Sequence, residues 1–286
     1  MPFERDVLIN LLHNMGSRRE IDQYLRLFTG VDSMQFAVIK VGGGVMEESL
    51  SELASALAFL RKVGLFPIIV HGGGPQLNRE LEARGISSTF VDGFRVTTPE
   101  VLAVARRVFQ AEGAKLAAAL EGQGVRARPI SSGVFTAVPM DPQRFGLVGD
   151  VESVDLSMIE DTIRAGQLPI VASLGETAEG QILNVNADVA ARELALTVRP
   201  QKIIFITPTG GLLDESGRII PAINLAEDYE RLAAAPWVYG GFARKLEEIK
   251  SLLDALPEWS SVSITSPDHL ARELFTHRGM GTLVRR

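Results

Sequence analysis

The sequence predicts an α/β unit built on a mainly parallel sheet with helices on both faces, preceded by a helical arm. Short apolar, β-branched runs alternate with helical periodicities from Phe36 onward, the pattern of strand–helix crossovers. Two of these runs share one shape. Phe36-Ala-Val-Ile-Lys40-Val-Gly-Gly-Gly44 and Pro67-Ile-Ile-Val-His71-Gly-Gly-Gly74-Pro-Gln76 each lead from a strand into three glycines and then a helix. No low-complexity linker interrupts residues 31–286, so any two lobes share one sheet or a tight hinge. A chain of 286 residues has room for either.

Taken in order, residues 1–30 place Val7, Leu8, Leu11, Leu12 and Met15, then Ile21, Tyr24, Leu25 and Phe28, at helical spacings. Gly16-Ser17 breaks the run, and Ser17 with Glu20 three later is a capping-box signature. Such an arm either packs on its own domain or grips another subunit. The first strand ends at its glycines, with a helix expected from Glu48 to Val63. The second ends at His71, with a helix from Gln76 to Arg84. Gly93-Phe-Arg95-Val-Thr97 reads as a loop before a helix from Pro99 to Leu120, with Thr98 as N-cap and Pro99 first inside it. Strands are expected from Arg128 to Ser132 and from Val134 to Val138, a hairpin from Gly146 to Asp155, and a helix from Leu156 to Ala165. A buried strand follows from Leu168 to Leu174. Gln181 to Asp188 then opens a helix from Val189 to Thr197. The strand from Lys202 to Thr207 ends in a Thr-Pro-Thr-Gly-Gly turn. Gly240-Gly-Phe-Ala-Arg-Lys245 opens a helix to Leu253, a strand covers Ser261 to Thr265, and a last strand is expected from Glu273 to Val284.

Composition narrows the class. Hydrophobic residues make up 46% and charged residues 22% of the chain, ordinary globular usage. The formal charge of −6 without a Lys/Arg block argues against a nucleic-acid groove. With 0 cysteines there is no disulfide and no thiolate metal site. No basic leader with an apolar core opens the sequence, and no apolar run approaches the roughly 20 residues of a membrane span. A soluble, cytoplasmic protein without membrane or nucleic-acid partners is expected.

A strand, a glycine turn and a helix N-terminus together aim backbone N–H groups at an anion. Neither glycine triplet continues as a Walker A loop, and Glu47 and Leu77 stand where a dinucleotide fingerprint needs its third glycine. Gly122-Gln-Gly124-Val-Arg-Ala127 has that spacing but follows a helix and precedes a strand, the wrong context. Lys40 ends a strand and Lys245 begins a helix, each beside a glycine turn. Asp188 at a helix start can hold both ammonium groups, although surface ion pairs are the competing interpretation. The 4 histidines, at 13, 71, 269 and 277, show no metal-ligand spacing and no nucleophile–base set. That suits phosphoryl transfer to a carboxylate, an acceptor already ionised at neutral pH. Lysines, glycine N–H groups and Mg²⁺ then suffice to neutralise the γ-phosphoryl oxygens. Arg95 can take a carboxylate bidentately, and Asn184 suits a carboxylate or an acetamide. Their competing roles are a surface guanidinium and an Asx-turn.

Six motifs in order resemble the amino acid kinase family, and within it the acetylglutamate kinases: Lys40-Val-Gly-Gly-Gly44, His71-Gly-Gly-Gly-Pro-Gln76, Gly93-Phe-Arg-Val-Thr97, Asn184-Val-Asn-Ala-Asp188, Gly240-Gly-Phe-Ala-Arg-Lys245 and the tail from Glu273 to Leu283. The resemblance implies a three-layer α/β/α sandwich, with an arm over 1–30 and a kinase domain over 31–286. About 31–196 would bind N-acetyl-L-glutamate, and about 197–286 would bind ATP with Mg²⁺ held mainly by phosphates and water. It casts Lys40 and Lys245 as stabilisers of the transferring group and Asp188 as the residue that orients them. Gly42, Gly43, Gly44, Gly72, Gly73, Gly74, Arg95 and Asn184 would bind acetylglutamate, and Thr207, Gly210 and Gly211 the nucleotide. No protein metal site is implied. Thr207-Pro-Thr-Gly-Gly211 departs from many members in lacking an acidic residue after the threonine. Residues 1–33 look more like the kinase part of fused acetylglutamate synthase–kinases, in which an acetyltransferase domain would follow this chain. Arginine-sensitive relatives carry an extra N-terminal helical segment, which points to L-arginine as effector, acting near Glu273 through a homo-oligomer. The rival expectation is a non-catalytic, arginine-sensing regulatory domain of a synthase.

Overall fold

A computed structural model describes residues 2–239, 241–276 and 279–286. Gly240 and His277 lie outside the described residues. Eight strands form the central sheet in the order Ala222–Asn224, Thr282–Arg285, Ser261–Thr265, Lys202–Ile206, Ala37–Val41, Ile68–His71, Leu168–Ala172, Ala127–Ile130. Among the described residues every pairing in it is parallel except that of Ser261–Thr265 with Thr282–Arg285. Ala37–Val41, first in the chain, sits mid-sheet between Lys202–Ile206 and Ile68–His71, with Val38 opposite Ile203 and Ile68.

Side-chain alternation makes three layers of this sheet. Ala37, Ile39, Val41, Ile69, Ile170 and Ile204 enter one core, beneath the helices Leu50–Lys62 and Pro99–Gly122. Val38, Ile68, Val70, Val171, Ile203 and Val262 enter the other, beneath Ala187–Val198 and Gly241–Ala255. Strands buried on both faces need apolar residues at nearly every position, which is why they read as continuous runs.

The arm is two helices, Pro2–Leu12 and Arg18–Thr29. Ser17 caps the second by accepting the Glu20 N–H at 3.3 Å. Leu12, Ile21, Leu25 and Phe28 are buried in the first core, where the Phe28 ring meets Phe36 and Phe275 edge-on. The arm thus packs on its own domain, while Val7, Leu11 and Leu27 stay exposed. Thr98 caps Pro99–Gly122 by accepting the Val101 N–H at 3.2 Å.

Several expectations are corrected. The helix after the first glycines begins inside them, as Gly43–Glu48, and restarts as Leu50–Lys62 after Ser49. Gly146 to Asp155 is not a hairpin. Its residues Gly149–Val154 form one strand antiparallel to Phe135–Pro139, joined through the helical turn Pro142–Phe145. The apolar run from Leu168 to Leu174 is two strands, because the chain leaves the central sheet at Ser173 and continues as Leu174–Glu176 in a second, four-stranded sheet. The segment around Arg95 pairs as a two-by-two hairpin, Phe90–Val91 with Phe94–Arg95. The tail is a helix, Leu270–Phe275, before its strand, so Glu273 is helical. Ala222–Asn224 and the helix Leu225–Ala233 lay unread in the sequence, since a three-residue edge strand shows no periodicity.

Candidate active site

The carboxyl ends of Ala37–Val41, Ile68–His71 and Lys202–Ile206 open onto one crevice, where an open α/β sheet gathers ligands. Asp188 reaches it from the first turn of Ala187–Val198. That turn is capped by Asn186, whose Oδ1 accepts the Asp188 N–H at 2.8 Å. Lys40 Nζ and Lys245 Nζ each lie 3.1 Å from the same oxygen, Oδ1 of Asp188. The two ammonium nitrogens are therefore separated by no more than twice that distance, although their residues lie far apart in sequence. Lys245 also sits 3.9 Å from the centre of the Phe205 ring and 3.8 Å from Glu248. Burial pushes the Asp188 carboxyl up, but Lys40 and then Lys245 outweigh it and hold the group below the usual range. The two cations share this one carboxylate oxygen, with the Glu248 carboxylate farther from Lys245.

The two glycine turns lie side by side. A Cβ on Gly43 would stand 2.6 Å from Pro75 Cδ and 3.0 Å from Gln76 Oε1, so no larger residue fits that seam. Gln76 ties the turns together by donating to the Gly43 carbonyl at 2.8 Å. Gly43 and Gly44 open a helix, where N–H groups lack an intrahelical acceptor. Gly42 differs from the expectation that all three supply donors, because its N–H is spent on the Ile206 carbonyl at 3.2 Å. Gly74 opens Gly74–Ala83. His71 is buried, and desolvation depresses its pKa despite a contact from Nδ1 to the Gly72 carbonyl at 2.9 Å. It is a turn residue rather than a base.

Three spaces with shared lining residues lie near the charged cluster. A cavity of about 340 Å³ is lined by Gly72, Gly73, Gly74, Arg95 and Asn184; Asn184 donates to Thr97 Oγ1 at 3.0 Å. Gly93, Phe94 and Asn186 wall both this cavity and a cleft of about 570 Å³ that holds Asp188 and Lys245. Lys245 in turn joins the cleft to a hollow of about 430 Å³, formed by Gly211, Leu212, Leu213, Trp237, Tyr239 and Phe242. Lys40 and the first glycine turn line none of the three. Thr207 folds onto its own turn, its Oγ1 accepting from Gly210 N at 3.2 Å, and Gly210 adopts φ +72°. Trp237 and Tyr239 escaped the sequence reading; their clustering with Phe242 just before Lys245 was the available signal. Among the described residues no cluster of His, Cys, Asp or Glu could hold a metal ion, and no helix is long and apolar enough to cross a membrane.

A mostly parallel sheet with helices on both faces, and Lys40, Asp188 and Lys245 gathered beside its glycine turns, defines a three-layer α/β/α protein of the doubly wound class. The chain belongs to the amino acid kinase family, whose description matches residues 35–256. It is 55% identical over 272 residues to the acetylglutamate kinase of Xylella fastidiosa (strain 9a5c), covering 95% of this chain and 65% of that protein. The chain thus spans less than two-thirds of that relative's length. The acetylglutamate kinase of Bifidobacterium longum subsp. infantis is 36% identical, with 87% of each chain covered. In fold the chain is similar to N-acetylglutamate synthase from Neisseria gonorrhoeae complexed with coenzyme A and L-arginine, with a TM-score of 0.79 at 24% identity over 93% of this chain and 64% of that one.

Proposed function

We propose that the chain transfers the γ-phosphoryl group of MgATP to the γ-carboxylate of N-acetyl-L-glutamate, giving N-acetyl-L-glutamyl 5-phosphate and ADP in arginine biosynthesis. The observation that carries this is the pair of lysines on one oxygen of Asp188, between a cavity that holds Arg95 and Asn184 and an aromatic hollow. An acceptor carboxylate oxygen attacks the γ-phosphorus, the bond from that phosphorus to the β–γ bridging oxygen breaks, and ADP leaves with the electron pair. No proton has to be removed first. Lys40, Lys245 and the Gly43 and Gly44 N–H groups would neutralise the equatorial oxygens, with Asp188 keeping both lysines in place. Mg²⁺ would ride on the nucleotide phosphates and water, which needs no protein cage. The intact set of Lys40, Asp188 and Lys245 favours catalysis over a purely arginine-sensing role.

In this scheme residues 1–30 are an arm, about 31–196 the acetylglutamate lobe and about 197–286 the nucleotide lobe, with Thr207, Gly210 and Gly211 on the nucleotide side. A cytoplasmic setting fits a biosynthetic enzyme of this kind. The test is ADP release with N-acetylglutamate and MgATP, for the wild type and Arg95→Ala. Loss of one charged hydrogen-bonding group is expected to raise KM for acetylglutamate roughly 10–100-fold, far more than KM for MgATP. Equal rises in both would remove Arg95 from the acceptor site.

We also propose L-arginine as an effector. Glu273 is buried, and its Oε2 accepts the Gly281 N–H at 3.0 Å. Lys202 is pushed down to about 8, first by burial and then by Arg285, with Glu273 opposing. The same Arg285 and Glu273 act on Tyr24 of the arm. A guanidinium on Glu273 would sit beside the Phe28–Phe275 contact, where the arm meets the tail. The exposed Val7, Leu11 and Leu27 would face a second copy in a homo-oligomer. Coupling is expected at about 1–3 kcal/mol. Calorimetry with L-arginine and light scattering check this; no heat, or a monomer at micromolar concentration, would sink it.

A further inference from the structure

Arg95 is buried, yet its partners are all uncharged. Nη1 donates to Ser88 Oγ at 2.6 Å and Nη2 to Asn78 Oδ1 at 2.5 Å. The Phe90 ring lies against the guanidinium, 4.5 Å from Cζ to the ring centre. Among the described residues no carboxylate pairs with it. A guanidinium has five N–H donors in a rigid fork, so the Nε–H and one N–H on each terminal nitrogen remain. Burial depresses the Arg95 pKa with no carboxylate opposing it. A cation taken out of water without a counter-charge is unfavourable unless something supplies one, and the cavity beside it is open.

We propose that Asn78 and Ser88 are positioning residues that aim the Arg95 fork into the acceptor cavity while leaving its charge uncompensated, so that the acceptor's own carboxylate completes the ion pair. This rests on the proposed acetylglutamate site and names what confers its preference for an acid. Asn78 belongs to Gly74–Ala83, the helix opened by the second glycine turn, and it lines the same cavity. The fork is therefore registered directly to that turn. Neutrality matters as much as geometry. An aspartate at position 78 would hold Arg95 through a charge-assisted bond, stronger than the amide's, yet would occupy the charge meant for the ligand.

This gives a test in which stability and affinity move in opposite directions. If Asn78 and Ser88 merely staple the hairpin to the helix, Asn78→Asp should leave acceptor binding alone or improve it. If they preserve a free charge, Asn78→Asp melts at or above the wild-type temperature while KM for N-acetylglutamate rises about tenfold or more. In the latter case kcat and KM for MgATP stay within about threefold. Asn78→Ala and Ser88→Ala should raise the same KM by a smaller factor, without the gain in melting temperature. Steady-state ADP release gives the KM split, and calorimetric titration with N-acetylglutamate gives affinity independently of turnover. An unchanged acetylglutamate KM in Asn78→Asp, or a parallel rise in both KM values, overturns the inference while a working wild type leaves the kinase assignment standing. A wild type that binds acetylglutamate without releasing ADP refutes the reaction but still lets calorimetry decide the role of Asn78. A wild type that does not bind it refutes both.

Discussion

Replacing Lys40 with alanine is expected to lower kcat by about 10²–10³-fold, the usual loss when one preorganised electrostatic donor is removed from such a site. The Lys40 ammonium is half of the pair on Asp188, 3.1 Å from the oxygen that Lys245 shares. Its loss takes away a donor to the transferring group and leaves Lys245 alone on Asp188. Lys40→Arg is not a rescue, because a planar fork does not reproduce a point charge on a single oxygen. The variant also carries a pH signature. Asp188 is held below its ordinary value of 3.8, so its contribution to stability is present above that value and fades as pH falls through the folded pKa. With Lys40 gone that fading begins at higher pH, which acid-unfolding curves of the two proteins will register. Near-normal turnover in Lys40→Ala would remove the lysine from the chemistry.

Gly43→Ala carries the second large effect, and it arises from packing rather than from charge. The new methyl would lie 2.6 Å from Pro75 Cδ and 3.4 Å from the Gly74 nitrogen, atoms of the neighbouring turn that cannot swing aside. Overpacking of this kind destabilises by about 1–3 kcal/mol. Prising the turns apart misplaces the N–H groups of Gly43 and Gly44, and a shift of about 1 Å at a reacting centre can lower turnover by about 10²-fold. Gly74→Ala is the control for stability, since its Cβ would meet nothing within 4 Å. Thermal unfolding of the two variants separates the cases. A Gly43→Ala protein as stable as Gly74→Ala would show that the seam yields.

Much of this was readable in the sequence because its determinants are local. Lys40 stands one residue short of the first glycines at a strand end, Asp188 marks a helix start, and Thr98-Pro99 announces a helix by capping chemistry. What stayed hidden depends on partners distant in sequence or on backbone direction. The break at Ser173 sits inside an unbroken apolar run, since both sheets bury that strand. Gly42 looked equivalent to its neighbours until the carbonyl of Ile206 claimed its N–H. The neutral surroundings of Arg95 come from a helix, a loop and a hairpin, and no periodicity announces that such pieces will meet. Trp237 and Tyr239 belong to a short irregular segment that lines a hollow, with Trp237 also packed against the core, and no periodicity marks such a segment.

The central position of Ala37–Val41 also bears on how the molecule is made. The strand leaves the ribosome well before Lys202–Ile206, which closes one of its two edges more than half of this sequence later. Until then a buried-type strand of Ala-Val-Ile-Lys-Val exposes unpaired N–H and C=O groups, a template for pairing with other chains. Closing so long a loop delays the reward of the pairing and slows folding. The catalytic geometry inherits that delay. Lys40 has no counter-charge until Asp188 arrives and no second ammonium beside it until Lys245 does. Assembly of the charged centre therefore waits for residues up to Lys245, and a nascent chain that stops short of Asp188 carries Lys40 without the carboxylate that holds it.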